Sequence, residues 1–234
     1  MYIYGKNVAK EALSTNKDIR KAYLSKHYKD NDLINKLRDS KIKIQFLEKQ
    51  ALDRLVDGNH QGIILEVDEV KTYQIDTILN DDNSLVVILD HIEDPHNFGA
   101  IIRTSVALGV DAIIIPNDRS VGINGTVVKT SAGSINHIKI IRIPNLNNAI
   151  EKLKKNNYWI VGTDMEGTDY TTLDYNTKIA LIIGNEGTGM SNLIKRNCDY
   201  IAKIPMTNKI NSLNASVSCG IILSEISRQR RLHE

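Results

Sequence analysis

Residues 85–231 alternate between short aliphatic runs and amphipathic segments, and this alternation constrains the fold more than any other feature of the chain. The runs are rich in Val and Ile, and several lack the polar alternation of a half-exposed strand. The predicted strands are Leu85–Leu89, Ala112–Ile115, Ile138–Ile143, Tyr158–Thr163, Ile179–Ile183 and Tyr200–Ile204. The predicted helices are Gly99–Leu108, Thr126–Ser131, Leu146–Asn156, Ser191–Arg196 and Asn214–Arg231. This order favours an α/β domain with a parallel sheet flanked by helices.

The first part of the chain has a different and weaker pattern. Two amphipathic helices and two short strands are predicted, at Val8–Leu13, Asp32–Ser40, Lys41–Phe46 and Gly62–Val67. The stretch that follows is polar and ends in the turn-forming residues Asn80–Ser84. We therefore predict a small α+β domain over residues 1–72, a linker over 73–84 and the α/β domain over 85–234.

Basic residues are concentrated near the amino terminus. Residues 1–45 contain 11 Lys and Arg against 5 Asp and Glu, residues 46–80 contain 3 against 7, and residues 81–234 contain 16 against 16. A local basic surface supplies the phosphate neutralisation that polyanion binding requires. A solvated, lysine-rich face explains the same charge equally well, so charge alone leaves both interpretations open.

The apolar runs are too short for a membrane span, which needs about 18 residues. The first residues do not have the pattern of a signal peptide, and we predict a cytoplasmic protein without a membrane partner. The two cysteines, Cys198 and Cys219, have no further cysteines with which to form a zinc site or a disulfide framework. Both are interpreted as buried thiols.

A glycine-rich turn, Ile182–Ser191, lies between a predicted strand and a predicted helix. Its glycines, at positions 184, 187 and 189, follow the order G-x-x-G-x-G, which differs from the dinucleotide-binding G-x-G-x-x-G. No Gly-Lys-Ser/Thr of a phosphate loop is present either. A plain strand-to-helix turn, with Ser191 as helix N-cap, explains the sequence as well as a ligand site does.

Polar residues also follow two other predicted strands. In the loop Leu89–Gly99, Asn97 is expected to cap the next helix, in which Arg103 lies one to two turns from the start. The loop Ile204–Asn214 leads into the carboxy-terminal helix. The carboxyl ends of parallel strands meet at one edge of a sheet, so the three loops predict one site at that edge.

Acidic and histidine side chains crowd the loop after the first of these strands. They are Asp90, His91, Glu93, Asp94 and His96. Their spacing matches no established metal site. We interpret the segment as a hydrated loop and predict that no metal is bound.

Together the three loops resemble the three motifs of the SpoU/TrmH RNA 2′-O-methyltransferases. The matching residues are Asn97-x-Gly99-x-x-x-Arg103, Ile183-Gly184-Asn185-Glu186-Gly187-x-Gly189, and Ile204-Pro205-Met206 with Ser212-Leu213-Asn214-x-Ser216. They occur in the order and spacing of the family and cover most of residues 85–231. Tyr4-Gly5 and His60-Gln61-Gly62 also resemble the substrate-binding domain of the bacterial 23S rRNA guanosine branch.

The resemblance implies the SPOUT fold, in which a parallel sheet flanked by helices ends in a carboxy-terminal trefoil knot. It also implies S-adenosylmethionine as cofactor, a methyl donor without a phosphate. A glycine-rich turn suits such a ligand because glycine lets backbone groups approach closely. The cofactor-binding residues that the resemblance implies are Gly184, Ile204, Leu213, Thr163 and Met206.

The same resemblance implies methyl transfer to a ribose 2′-hydroxyl, which must lose or share its proton during the attack. The nominated catalytic residues are Arg103, Asn97, Glu186, Ser212 and Asn214. Because arginine normally keeps its proton, stabilising the developing alkoxide and clamping a neighbouring phosphate is the more conservative role for Arg103. Taken singly, the amide and hydroxyl residues fit helix caps and Arg103 fits an ion pair with Glu186.

The expected partner is RNA, with a guanosine of 23S rRNA as the favoured target and no role for DNA. The apolar first half of the last predicted helix is either buried in the core or part of an interface. Because family members are homodimers through this region, the resemblance implies a homodimer through the knot region. Two alternatives stay open. One is the same chemistry on tRNA or another rRNA site, including antibiotic-resistance methylation. The other is a non-catalytic RNA-binding protein of ribosome assembly.

Overall fold

The computed structural model describes residues 1–14, 19–207 and 212–231. The chain divides into two compact units, one of Met1–Val70 with Ile123–Gly133 and the other of Lys71–Gly122 with Ser134–Glu234. The strands are β1 (Tyr2–Tyr4), β2 (Ile19–Ser25), β3 (Lys43–Leu47), β4 (Ile63–Val67), β5 (Thr72–Tyr73), β6 (Leu85–Asp90), β7 (Ala112–Pro116), β8 (Lys139–Ile143), β9 (Trp159–Asp169), β10 (Ile179–Gly184) and β11 (Tyr200–Lys203). The α-helices are α1 (Lys6–Ser14), α2 (Asn31–Asp39), α3 (Lys49–Asp53), α4 (Pro95–Ala107), α5 (Gly125–Thr130), α6 (Leu146–Lys154), α7 (Asn192–Asn197) and α8 (Ala215–Arg231).

The described part of the first unit is an α+β sheet structure in the strand order β1-β4-β2-β3. β2 pairs with β3 in parallel, and the other two pairs are antiparallel. α2 shows how the sequence builds it: Asp30 accepts the Leu33 backbone N–H as an N-cap, and Leu33 and Leu37, four residues apart, are fully buried. The small α+β architecture predicted at this end is present.

Helix α5 is remote in sequence but clusters with the first unit. Asn124 caps it by accepting the backbone N–H groups of Thr126 and Val127. The Thr126 hydroxyl also forms a 3.0 Å hydrogen bond with the phenol of Tyr4, on β1. The sequence places this helix inside the α/β domain, and nothing in its own residues indicates the association with residues 1–70.

The second unit is built on a parallel sheet in the order β11-β9-β10-β6-β7-β8-β5. Every residue of β6 and β7 is buried, as expected for strands covered by helices on both faces. The parallel α/β fold predicted from the alternating pattern is confirmed. The trefoil knot stays a prediction.

The segment predicted as a linker is ordered against this sheet. β5 pairs with β8, and a 3₁₀ turn over Ile75–Ile78 brings Ile78 into the core. The backbone oxygen of Ile78 accepts a 2.6 Å hydrogen bond from the Tyr158 hydroxyl, and that of Leu79 accepts one from the Lys178 ammonium. Residues 72–79 therefore contribute to the second unit.

Both cysteines lie among apolar neighbours. Cys219 is fully buried in α8, and Cys198 is partly buried after α7. Burial raises the pKa of each thiol to about 12, so both stay protonated near neutral pH. They act as packing residues. Over the described ranges, no helix has the length and apolar character required to cross a membrane.

Candidate active site

A cavity of about 380 Å³ opens at the carboxyl ends of β10 and β11, beside the middle of β9. Its described wall comes from three parts of the chain: residues 163–165 of β9, the glycine-rich turn after β10, and residues within 202–206 and 212–218. The five residues predicted to bind the cofactor all line it: Thr163, Gly184, Ile204, Met206 and Leu213. Residues 208–211 of the predicted loop Ile204–Asn214 lie outside the described residues. The structure thus brings the predicted cofactor residues together, and their role in binding stays a prediction.

An irregularity of β9 shapes one wall of this cavity. Ile201 of β11 pairs with Gly162, but the next residue, Ala202, pairs with Thr168. Residues 163–167 therefore bulge out of the ladder, and three of them, Thr163, Asp164 and Met165, line the cavity. The Thr163 hydroxyl donates a 3.0 Å hydrogen bond to the backbone oxygen of Ile182 and is thereby fixed against β10.

The glycine-rich turn folds back tightly on itself. Asn185 and Gly189 exchange two backbone hydrogen bonds of 3.2 and 2.9 Å, and Gly189 has a positive φ of 66°. A Cβ on Gly184 would lie 2.5 Å from backbone atoms of Gly189 and Met190, so only glycine fits there. Gly184 is therefore required by the shape of the turn itself.

Two polar side chains hold the turn in place. The carboxylate of Asp90, only 2% exposed, accepts the backbone N–H of Ser191 at 2.8 Å and pairs with the imidazole of His91 at 2.5 Å. Asn185 donates to the backbone oxygen of His91 at 2.8 Å and accepts the N–H of Gly187. Both ends of the turn are thereby fixed to the end of β6. Sequence reasoning missed these two anchors, and the hydrated-loop interpretation is wrong for the buried Asp90.

Glu186, Asn97 and Asn214 form a hydrogen-bonded polar chain that joins three distant parts of the sequence. Asn97 donates to the Glu186 carboxylate at 2.6 Å, and Asn214 donates to the side-chain oxygen of Asn97 at 2.9 Å. The side-chain oxygen of Asn214 accepts the backbone N–H groups of Ser216 and Val217, so Asn214 caps α8. Glu186 is therefore in direct contact with Asn97.

The prediction that Asn97 caps its helix is wrong. The N-cap of α4 is Asp94, which accepts the backbone N–H of His96, and Pro95 occupies the first turn. Asn97 lies inside the helix and is 9% exposed. Its side chain is thus free of the capping role and available for Glu186 and Asn214. Ser191 does occupy the N-cap position of α7, but its side chain makes no capping hydrogen bond.

The other two nominated residues are arranged differently. Ser212 is exposed and lines the cavity. Arg103 is exposed on α4, six residues after Asn97, and therefore about 120° away from it around the helix axis. Within the described residues, Arg103 has no carboxylate at ion-pair distance, and Glu186 is used by Asn97 instead. The interpretation of Arg103 as a simple partner of Glu186 is not supported.

The chemistry of the wall fits a ligand without phosphate. Asp164 and Glu186 are its acidic members, and no described lining residue is Lys or Arg. The ammonium group of Lys195 lies 3.0 Å from the carboxylate of Asp164 and forms an ion pair with it. Ile204, Leu213 and other apolar residues complete the wall. Such a surface favours an uncharged or cationic ligand with an apolar body.

The polar chain predicts the behaviour of the Asn97→Asp variant. Two carboxylates would then meet where a 2.6 Å amide–carboxylate hydrogen bond now lies. Near pH 7 we expect the free energy of unfolding to fall by about 1–2 kcal/mol. The loss is no larger because Glu186 is exposed and solvent screens the repulsion between the two carboxylates. Thermal and denaturant unfolding measure the loss.

The matched control is the double variant Asn97→Asp with Glu186→Gln, which restores a donor and an acceptor at the same two positions. It should recover most of the stability at pH 7. A double variant no more stable than the single one would contradict a stabilising role for this hydrogen bond.

Comparison with known proteins shows the family of this chain. The model of the SpoU rRNA methylase family matches residues 84–224, and the model for RNA 2′-O ribose methyltransferase substrate binding matches residues 2–73. The chain belongs to the SpoU rRNA methylase family, and it is an RNA methyltransferase of the TrmH/SpoU type.

Individual proteins and solved structures are similar to most or nearly all of this chain. A protein of Staphylococcus saprophyticus, provisionally named a TrmH family tRNA/rRNA methyltransferase, is 41% identical over 97% of this chain and 95% of its own. The SpoU methyltransferase AviRb of Streptomyces viridochromogenes, solved in complex with AdoMet, is 25% identical with a TM-score of 0.80, covering 99% of this chain and 91% of its own. A TrmH/SpoU tRNA modifying enzyme of A. aeolicus, 31% identical with a TM-score of 0.59, covers 68% of this chain and 82% of its own.

Proposed function

We propose that this protein transfers a methyl group from S-adenosylmethionine to a ribose 2′-hydroxyl of RNA, with a guanosine of 23S rRNA as the target. The observation that carries the proposal is the cavity formed by the bulge of β9 and the carboxyl ends of β10 and β11, which gathers all five residues predicted to bind the cofactor. The polar chain of Glu186, Asn97 and Asn214 adjoins it through Glu186, which belongs to both.

The residues that would hold S-adenosylmethionine are Thr163, Gly184, Ile204, Met206 and Leu213. When bound, this cofactor supplies a methyl group activated by a sulfonium cation. Its positive sulfur, zwitterionic amino acid part and uncharged aromatic adenine suit a wall with two carboxylates and aliphatic side chains. Gly184 lets the turn close at the site without a side chain in the way. AviRb, whose structure contains AdoMet, supports the assignment.

The catalytic roles follow from charge and hydrogen bonding. Glu186 fixes the amide of Asn97, and Asn97 in turn receives a hydrogen bond from Asn214, so the polar groups are oriented before substrate arrives. Arg103 is exposed and has no ion-pair partner among the described residues, which leaves its guanidinium open to an RNA phosphate and to a developing alkoxide. Ser212 is positioned at the cavity to contact the ribose or the cofactor.

RNA recognition is assigned to the first domain, proposed as residues 1–72. The match to the RNA 2′-O ribose methyltransferase substrate-binding model over residues 2–73 and the local basic excess support this role. The family model that matches residues 84–224 is described as an rRNA methylase family, which supports an rRNA target for this protein.

A homodimer is part of the proposal. Most apolar residues in the first half of α8 are buried within the subunit, including Cys219, Ile222 and Leu223. Val217, in contrast, is 48% exposed and offers an apolar contact. We place the subunit contact in this carboxy-terminal region.

The test is a methyl-transfer reaction with labelled S-adenosylmethionine and unmodified transcripts of 23S rRNA, 16S rRNA and tRNA. Each RNA is digested to nucleosides after the reaction. Label in 2′-O-methylguanosine from 23S rRNA alone is the expected result. Label from tRNA would keep the chemistry and overturn the target, and cofactor binding without transfer to any RNA would favour the non-catalytic alternative.

A further inference from the structure

The first unit contains a second concave surface, separate in sequence from every residue of the candidate active site. It is a cavity of about 700 Å³ between the loop after β2, the start of α3 and the turn before β4. Its lining residues are Lys6, Ser25, His27, Tyr28, Lys29, Asp30, Lys49, Asp53 and residues 58–62. A single nucleotide fits within such a volume.

The His60-Gln61-Gly62 motif forms a rigid side of this cavity. His60 is buried, accepts the backbone N–H of Gly62 through Nδ1 and pairs with Asp53 through Nε2 at 2.8 Å. The side-chain oxygen of Gln61 accepts the backbone N–H of Lys6, at the start of α1. Gln61 and Gly62 both have positive φ, so the turn takes a conformation that its own hydrogen bonds must maintain. The motif organises a surface on which Gln61 is exposed.

Tyr28 forms another part of the wall. A Cβ on Gly62 would lie 3.1 Å from its ring, so glycine allows the ring to pack closely over the turn. The Tyr28 hydroxyl is buried and has no hydrogen-bond partner among the described residues. Burial, with the charge of Asp30 adding to it, raises the pKa of this phenol to about 12, so it remains a donor. Unpaired buried polar atoms are uncommon, and a polar ligand group in the cavity would satisfy this one.

The charges around the cavity favour an anion at its rim and a neutral group inside. Asp30 is neutralised by Lys6 at 2.8 Å, and Asp53 is engaged by His60. Lys29 and Lys49 are exposed, and neither has a carboxylate within ion-pair distance in the described ranges. Their ammonium groups are therefore available for phosphates, while the side-chain amides of Asn59 and Gln61 offer donors and acceptors for a base edge.

We propose that this cavity seats one unpaired nucleotide of the substrate RNA, with its base against Tyr28 and the His60-Gln61-Gly62 turn and its flanking phosphates on Lys29 and Lys49. Unpaired RNA bases are recognised in this way, by packing on aromatic rings and by hydrogen bonds to exposed edges. The proposal rests on the proposed function in taking RNA as the substrate. It adds a second RNA contact, made by residues far in sequence from those of the candidate active site.

The test measures binding of a radiolabelled 23S rRNA transcript to the full-length protein by filter binding over a range of salt concentrations. The Lys29→Ala/Lys49→Ala variant should bind at least about ten-fold more weakly near 0.15 M salt. Its slope of log affinity against log salt should fall by about 1.4, because each phosphate contact to a single strand contributes about 0.7. Tyr28→Phe should weaken binding several-fold without a change in that slope.

The matched control is Lys36→Ala/Lys43→Ala, which removes two exposed lysines of the same unit that do not line the cavity. It should bind within about two-fold of the unaltered protein. Equal losses in both double variants would indicate a diffuse basic surface and overturn the proposal, as would unchanged binding in the Lys29 and Lys49 variant.

Methyl transfer is measured on the same proteins to separate this proposal from the proposed function. Full transfer by the unaltered protein with unaffected RNA binding by all variants would overturn only the nucleotide site. Absence of transfer by the unaltered protein, with RNA binding that depends on Lys29, Lys49 and Tyr28, would overturn only the methylation target or chemistry.

Discussion

Replacing Arg103 with alanine is expected to lower the rate of methyl transfer by about 10²- to 10³-fold, the range observed when a group that stabilises transition-state charge is removed. The side chain is exposed, lies outside the cavity wall and makes no ion pair within the described residues. Its loss should therefore leave the fold and the affinity for S-adenosylmethionine within a few-fold of the original values. Single-turnover transfer and calorimetric cofactor binding measure the two quantities.

Arg196→Ala is the control for charge, since Arg196 is an exposed arginine of the same unit that does not line the cavity. It should retain transfer within a few-fold. An Arg103→Ala enzyme with full activity would remove this residue from the mechanism. An Arg103→Ala enzyme that loses cofactor affinity in proportion to its rate would assign the residue to binding.

The second large effect is expected from Gly184→Ala, which should weaken cofactor binding by about 10- to 100-fold, equivalent to about 1–3 kcal/mol of overpacking. The added methyl would lie 2.5 Å from the backbone of Gly189 and Met190, which no flexible side chain can relieve. The turn must open, and the wall that it contributes to the cavity moves with it.

Gly187→Ala is the matched control in the same turn. Its Cβ would meet only the side-chain oxygen of Asn185, at 3.5 Å, which is an ordinary contact. Gly187 does not require a positive φ, so alanine is tolerated there. Calorimetric titration with S-adenosylmethionine compares the two variants. Equal affinities for both would contradict the assignment of the turn to the cofactor.

The sheet of the second unit was predictable because its signal is local. β6, β7 and β10 are uninterrupted aliphatic runs, and a strand buried on both faces has that composition. β1 and β2 were not predicted, since Tyr2–Tyr4 is very short and Ile19–Ser25 mixes basic and aromatic residues. Their position in the sheet depends on pairing with β4, which is a long-range contact.

The sequence is sufficient to predict most residues of the candidate site, but not the hydrogen bonds that link them. Loops after parallel strands converge for topological reasons, which is why residues of the turn line one cavity together with Ile204, Met206, Ser212 and Leu213. Asn97 does not cap its helix because Asp94, three residues earlier, supplies the cap and Pro95 begins the first turn. The anchoring by Asp90 depends on burial, and an acidic residue beside histidines in a loop gives no sequence signal for that.

The polar chain also has a consequence for how the protein is made. It joins residues 97, 186 and 214, so translation must pass position 214 before all three members exist. A nascent chain that has completed β6 and α4 already carries Asn97 but has neither Glu186 nor the cap of α8. The cavity and its catalytic neighbours are thus assembled late, and a chain released from the ribosome before Asn214 has been added lacks a complete site.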